Sequence, residues 1–194
     1  MKKQAALSFL TAAVLLIGAW NLQSTSQAAA DATLGKAYFA GGCFWCMEEA
    51  FEKVEGVLSA TSGYMGGTVA NPSYEEVSAG RTGHAESVEV IYDPAKVSYQ
   101  KLLNAFWHNV DPITPNAQFC DHGSQYRSAI FFQTDEEKRL SDTSKQTIEQ
   151  ARRFKEPIVT QIVMASQFYP AEEYHQDFYK KNPVRYKFYK YNCG

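Results

Sequence analysis

The stretch KAYFAGGCFWCMEEAF, residues 36–51, joins a short strand to a helix. Gly41 and Gly42 end the predicted strand. The pattern then changes to helical spacing, with apolar residues at Phe44, Met47, Phe51 and Val54. We therefore expect Cys43 at the N-terminus of a helix that packs one face on a sheet.

Strands and helices alternate along the rest of the chain, but not in a doubly wound pattern. Further strands are predicted at 56–64, 84–92, 127–133 and 158–164. Helices are predicted after three residues that make good N-caps, namely Ser73, Ser98 and Thr134. We expect an α+β fold: a two-layer, ferredoxin-like sandwich of a largely antiparallel sheet and packed helices, with an irregular C-terminal tail.

Length and charge limit the possible functions. The chain has 194 residues, of which 45% are hydrophobic, enough for one buried core. Lys and Arg number 19 against 21 Asp and Glu, so there is no basic excess to hold a nucleic-acid backbone and no nucleic-acid partner is expected. The one long apolar run lies at the start, which argues against a multi-span membrane protein.

That first segment has the order of a secretory signal peptide. Lys2 and Lys3 precede an apolar stretch at 5–20, and small residues follow at 28–30. We expect residues 1–30 to be a signal peptide, 31–194 to be one mature domain, and the protein to be exported to the periplasm. An uncleaved membrane anchor is the alternative.

The C-x-x-C pair formed by Cys43 and Cys46 is the strongest chemical signal. Unpaired backbone N–H groups and the helix dipole favour a thiolate at Cys43, and the two glycines would leave space for a substrate. Two alternatives stay open: the four cysteines form structural disulfides, or zinc binds at Cys43, Cys46, Cys120 and His122. The zinc spacing is weak because the second half is C-x-H.

Several separated motifs together resemble the A-type peptide methionine sulfoxide reductases. The main ones are GCFW at 42–45, GHAE at 83–86 and DHGSQYRS at 121–128. Supporting matches are GY at 63–64, GG at 66–67, NPSY at 71–74, YDP at 92–94 and QFY at 167–169. The resemblance covers about residues 36–182, nearly the whole predicted mature domain.

The resemblance implies a thiol reaction without a metal or organic cofactor. Cys43 would attack the sulfur of (S)-methionine sulfoxide, free or in oxidised proteins, giving methionine and a sulfenic acid. The remaining roles would be the proton donor Glu86, the hydroxyl donors Tyr74 and Tyr126, an apolar wall of Phe44 and Trp45, and Asp121 binding substrate or water. Such a monomeric enzyme would repair proteins after oxidative stress.

Glu86 suits the acid role on independent grounds. In the predicted strand 84–92 it shares a face with Val88 and Val90. Burial on that face would raise the pKa of the carboxyl and keep it protonated near neutral pH.

Recycling is where the chain departs from the commonest family pattern. Cys46 stands where many members have glycine, Cys120 precedes the Asp121 motif, and the tail carries only Cys193. Cys46 and Cys193 are both candidates to resolve the sulfenic acid before a thioredoxin-like dithiol protein reduces the disulfide. We expect Cys193 to react first, from a mobile tail whose aromatic residues dock over the pocket: Tyr186, Phe188, Tyr189 and Tyr191.

Two other function classes remain to be considered. C-x-x-C at a helix start after a strand is also typical of thioredoxin-like thiol oxidoreductases. In that motif, however, the aromatic residue precedes the first cysteine, whereas here Phe44 and Trp45 follow Cys43. The third possibility is an exported binding module stabilised by zinc or disulfides.

Overall fold

The fold is centred on a six-stranded sheet whose inner strands include β1 (Gly35–Gly41) and β3 (Ala85–Tyr92). A computed structural model describes residues 33–193, so the predicted signal peptide at 1–30 lies outside the described residues. The strand order is β7, β6, β1, β3, β2, β8, with β2 at Val57–Met65, β6 at Ser128–Phe132, β7 at Gln161–Met164 and β8 at Tyr169–Pro170. Neighbouring strands of this sheet are antiparallel except β6 and β7, which are parallel. Two short strands, β4 (Ala117–Gln118) and β5 (Asp121–His122), form a separate antiparallel pair. The predicted largely antiparallel sheet is confirmed.

Strand β3 alternates in burial as the sequence predicts only from Val88 to Tyr92, and its first residues are buried on both faces. Glu86, Val88 and Val90 are buried, and β3 is covered at both edges by β1 and β2. Ala85 and Ser87 on the opposite face are also buried. The carboxyl of Glu86 therefore lies within the sheet rather than at its margin.

Three helices begin at the predicted side-chain caps. They are α2 (Tyr74–Ser78), α3 (Tyr99–His108) and α4 (Asp135–Gln150), which Ser73, Ser98 and Thr134 cap in that order. α1 (Phe44–Glu52) starts at Cys43 without a side-chain cap. Local hydrogen bonding thus determines where three of the six described α-helices begin, whereas α1 begins where β1 turns into it.

The core joins β1 to α1 and α3 through Phe39. This ring stacks on Phe51 with centroids 4.7 Å apart, and on Phe106 at 5.5 Å. Phe39 is fully buried. Its contacts fix α1, and with it Cys43, against the sheet.

The expectation of an irregular tail is wrong. Residues after Asp177 form α5 (Phe178–Lys181) and α6 (Pro183–Cys193). Proline suits the first position of α6. Contacts with α1 then hold the helix, since Tyr186 and Lys190 both bind the carboxylate of Glu49. These contacts are distant in sequence, so helical periodicity alone did not indicate them.

The described residues from Leu34 onward belong to one compact unit. Within residues 33–193, no helix is long and apolar enough to span a membrane. The ferredoxin-like, two-layer description of the sandwich stays a prediction.

Replacing the central ring should destabilise the domain. Phe39→Ala removes the stacking partner of Phe51 and Phe106 and leaves a cavity, so we expect a loss of about 3–5 kcal/mol in the free energy of unfolding. Urea denaturation measures this. Leu58→Ala is the control, because Leu58 is 55% exposed. This substitution should change the free energy of unfolding by no more than about 0.5 kcal/mol. Similar losses in both variants would contradict the assigned core.

Candidate active site

Cys43 lies at the junction of β1 and α1, as the sequence predicts. Gly42 makes the turn with a φ of +83°. A Cβ atom on Gly42 would lie 2.5 Å from the Cβ of Gln118, so a larger residue is excluded there. The expected space for a substrate beside the glycine is thus filled by Gln118. Gly42 is required for the turn and for this packing.

Glu86 lies under the first turn of α1. Its Oε2 atom accepts a hydrogen bond of 3.1 Å from the backbone N–H of Phe44. Burial nevertheless raises the pKa of Glu86 from 4.5 to about 8, because one N–H donor does not compensate for desolvation of the carboxylate. The carboxyl is therefore protonated at neutral pH, next to the cysteine.

One cavity of about 60 Å³ brings together all seven residues predicted to act in catalysis or substrate binding. It is lined by Cys43, Phe44, Trp45, Tyr74, Glu86, Asp121, Tyr126 and Tyr189. Seven of these eight come from the sequence motifs, and Tyr189 comes from α6. A nucleophile, a protonated acid, hydroxyl groups and apolar rings thus share one small space.

The two tyrosines reach the cavity from short elements. Tyr74 begins α2, and its backbone N–H donates to Glu172, which also accepts from the hydroxyl of Tyr64. Tyr126 ends a single 3-10 turn, Ser124–Tyr126. Burial, followed by the nearby charge of Glu86, raises the pKa of Tyr74 to about 12 and raises that of Tyr126 further. Both hydroxyls therefore keep the proton that a hydrogen-bond donor needs.

The indole of Trp45 is held by residues that the sequence did not single out for the site. Its ring stacks on Phe178 with centroids 3.7 Å apart, and its Nε1–H donates to Nδ1 of His175 at 3.1 Å. His175 is buried, and its Nε2 has no partner among the described residues. Phe178 and His175 belong to the C-terminal region, which we expected to be irregular.

The four cysteines pair differently from the expectation. Cys193 is bonded to Cys120, whereas Cys43 and Cys46 are free thiols. The expected bond between Cys43 and Cys193 is therefore not the one formed in this structure. Cys120 was not considered as its partner, because 73 residues separate the two in sequence. In this form the sulfur of Cys120 is also unavailable for the zinc site considered above.

The protonation of the C-x-x-C pair also differs from the expectation. Burial raises the pKa of Cys43 well above its ordinary value, and a hydrogen bond with Cys46 adds to this rise. That bond lowers the pKa of Cys46, with help from the Tyr186 hydroxyl and the Lys190 ammonium. The negative charge is thus favoured on Cys46, although helix position alone predicted it on Cys43.

A second cavity connects the three cysteines that the sequence linked to redox chemistry. It measures about 120 Å³, and Cys43, Cys46 and Cys193 all line it. Asp121, Tyr189 and Lys190 line it as well. Both predicted resolving cysteines are thus neighbours of the nucleophile, one on α1 and one on α6.

Tyr189 is the main residue of the site that the sequence did not assign to a role in it. Its hydroxyl donates to Asp121, and it lies close enough to Cys43 to oppose the rise in the pKa of that thiol. The aromatic tail was expected to dock over the pocket, and Tyr186 and Tyr189 do face inward. Phe188 and Tyr191 do not dock, being 73% and 89% exposed. The helical periodicity of α6 places Tyr186 and Tyr189 on its inner face and Phe188 and Tyr191 on its outer face.

The raised pKa of Glu86 makes the stability of the domain depend on pH. In the unfolded chain this pKa returns to about 4.5, so between about pH 4.5 and 8 the folded chain binds the proton more tightly. The stabilising contribution is complete below the unfolded pKa and is lost as pH rises through the folded value.

Glu86→Gln removes this proton-linked contribution. We therefore expect its free energy of unfolding to fall less than that of the wild type between about pH 5 and about pH 9, measured by urea denaturation. Glu89→Gln is the matched control, because Glu89 lies on the same strand and binds Tyr38 and Lys36 instead. The same decline in the wild type and Glu86→Gln would show that Glu86 does not titrate in this window.

Comparison with known proteins identifies the family. A family model for peptide methionine sulfoxide reductase matches residues 35–194. The peptide methionine sulfoxide reductase MsrA of Halalkalibacterium halodurans is 51% identical over 154 residues, which are 79% of this chain and 88% of that protein. The MsrA of Listeria welshimeri is 48% identical over 84% of this chain and 92% of its own length.

Solved structures give the same result. Mxr1 from Saccharomyces cerevisiae in reduced form has a TM-score of 0.74 and 31% identity, covering 79% of this chain and 88% of that one. Methionine sulfoxide reductase A of Corynebacterium diphtheriae has a TM-score of 0.69 and 32% identity, covering 78% and 76%. These matches favour the sulfoxide reductase over the thioredoxin-like alternative. The chain belongs to the peptide methionine sulfoxide reductase family.

Proposed function

We propose that the cavity around Cys43 reduces (S)-methionine sulfoxide, free or in proteins, by direct attack of the Cys43 sulfur on the substrate sulfur. The enzyme is an oxidoreductase that returns methionine sulfoxide to methionine. In this step the oxygen passes to Cys43, which becomes a sulfenic acid as the substrate sulfur gains two electrons. The observation that carries the proposal is a protonated Glu86 beside Cys43 in one cavity.

Glu86 supplies the proton that the departing oxygen needs. With a pKa of about 8, most of this carboxyl is protonated at neutral pH, unlike an ordinary glutamic acid. The hydroxyls of Tyr74 and Tyr126 would donate hydrogen bonds to the same oxygen as its negative charge grows. Their raised pKa values keep them protonated in that role.

The apolar side of the cavity fits the methyl group of the substrate. Phe44 and Trp45 provide this side, and Phe178 and His175 hold the indole ring in place. Asp121 would contact the substrate or a water molecule once Tyr189 has left it. With donors on one side and rings on the other, the site distinguishes the two epimers of the sulfoxide.

Recycling of the sulfenic acid uses a second thiol and then an external dithiol. We propose Cys46 as the first resolving residue, in place of Cys193. The argument for Cys193 assumed a mobile tail, whereas Cys193 ends an ordered helix and is bonded to Cys120. Cys46 is already hydrogen-bonded to Cys43 and has the lower pKa, which favours its attack. Cys193 would then receive the disulfide by exchange.

The reductant we propose is a thioredoxin-like dithiol protein, since two electrons and two protons restore each disulfide. Yeast Mxr1 has been solved in complex with Trx2. We also propose that residues 1–30 export a monomeric enzyme to the periplasm, where it repairs oxidised proteins. Thiols there tend to become oxidised, so a dedicated reductant is needed.

Cys43→Ser should abolish the reaction. A hydroxyl at neutral pH is a much weaker nucleophile than a thiolate, so turnover of racemic methionine sulfoxide should fall at least about 10³-fold. The wild type should consume the S epimer and leave the R epimer, as followed by chiral chromatography. Thermal unfolding checks that the variant is folded. Activity within tenfold of the wild type would contradict the assignment.

The order of disulfide formation can be mapped directly. Both proteins start with every cysteine reduced. After one stoichiometric turnover without external reductant, we expect a Cys43–Cys46 bridge to form at the same rate in the wild type and in Cys193→Ser. Cys46→Ser should form its first bridge more slowly, since Cys193 must then reach Cys43. Peptide mass mapping at short times measures these rates. If Cys193→Ser formed no disulfide, Cys193 would be the first resolving residue instead.

A further inference from the structure

The cavity around Cys43 is occupied by the protein's own tail. Tyr189 reaches it from α6, donates to Asp121 and lines the cavity together with Cys43. Its ring meets Trp45 edge-on with centroids 6.0 Å apart. The cavity that remains beside Tyr189 is small, about 60 Å³. Tyr189 therefore occupies Asp121 and Trp45, two residues that the proposed function assigns to the substrate.

Two attachments hold α6 in this position. Near its middle, Tyr186 and Lys190 bind Glu49 of α1. At its end, the Cys193 sulfur is bonded to Cys120, next to Asp121. Tyr189 lies between Tyr186 and Lys190, four residues before Cys193, so it leaves the cavity only when the whole helix shifts. The disulfide is the attachment that a change of redox state breaks.

We propose that the Cys120–Cys193 disulfide is a redox lock that keeps α6 over the catalytic cavity, with Tyr189 in the place of the substrate. This inference rests on the proposed function and adds its regulation. Reduction by an external dithiol breaks the S–S bond, gives two thiols at Cys120 and Cys193, and converts the dithiol to its disulfide. The freed end of α6 then moves away and opens the cavity.

The lock connects substrate entry to the supply of electrons. When Cys43 and Cys46 form a disulfide after turnover, exchange with the thiols of Cys120 and Cys193 returns the first pair to thiols and oxidises the second. The site is then chemically ready but closed. It reopens only when the reductant has arrived, so Cys43 is not oxidised again while Cys120 and Cys193 are still joined as a disulfide.

Accessibility of Cys43 tests the lock without any sulfoxide. The chain is prepared with the Cys120–Cys193 bond intact and the other two cysteines as thiols, and separately with all four reduced. Iodoacetamide is added, and alkylation of Cys43 is followed by peptide mass mapping. We expect Cys43 to react at least about tenfold more slowly in the disulfide form. Amide hydrogen exchange of residues 183–193 should be faster after reduction.

Two substitutions on the same helix separate the lock from other effects of the disulfide. Tyr189→Ala empties the cavity, so its disulfide form should be alkylated nearly as fast as its reduced form. Tyr191→Ala is the matched control, because Tyr191 is 89% exposed, and it should keep the tenfold difference. Equal rates in the two redox states of the wild type, or a difference that survives Tyr189→Ala, would overturn the proposal. Since alkylation needs no sulfoxide, failure of the proposed function would appear separately as lack of turnover.

Discussion

The neutral carboxyl of Glu86, buried under the start of α1, is the constraint on which the rest of the site depends. An ionised carboxylate at this depth would need several donors, and the Phe44 N–H is the hydrogen-bond donor the structure gives it. The desolvation penalty therefore outweighs this hydrogen bond, and the Glu86 carboxyl keeps its proton at neutral pH. Both partners are fixed by the core: β3 carries Glu86 between two strands, and Phe39 packs α1 onto the sheet. A rigid scaffold thus determines a chemical property of one side chain.

Features with a local cause could be predicted from the sequence. Period-two alternation placed Glu86 on the buried face of its strand, and serine and threonine caps placed the starts of α2, α3 and α4. The separated motifs also met at one cavity, because the sheet order brings β1, β3 and the loop before β6 together. The alternation and the caps are signals within a few residues of the feature, whereas the meeting of the motifs was expected from the family resemblance.

Features that depend on distant contacts could not be predicted in this way. α6 has no clear apolar stripe, and it is held by bonds to Glu49 from residues more than 130 positions away. The disulfide between Cys120 and Cys193 likewise joins residues that are 73 positions apart. The protonation of Cys43 and Cys46 depends in turn on α6, since Tyr186 and Lys190 stabilise charge on Cys46. The failure to predict helix α6 therefore accounts for three errors. These are the irregular tail, the pairing of Cys193 and the preferred site of negative charge in the C-x-x-C pair.

The position of α6 also explains why a nucleophile can be held protonated. With Tyr189 in place, apolar rings and this side chain surround a half-buried Cys43, and burial is the largest cause of its raised pKa. Departure of Tyr189 admits water and substrate together, and water stabilises the thiolate. Oxidation of cysteine depends on thiolate character and exposure, so a closed, protonated Cys43 resists stray oxidants. The same movement that admits the sulfoxide therefore activates the sulfur that attacks it, and reactivity is confined to the form that can use it.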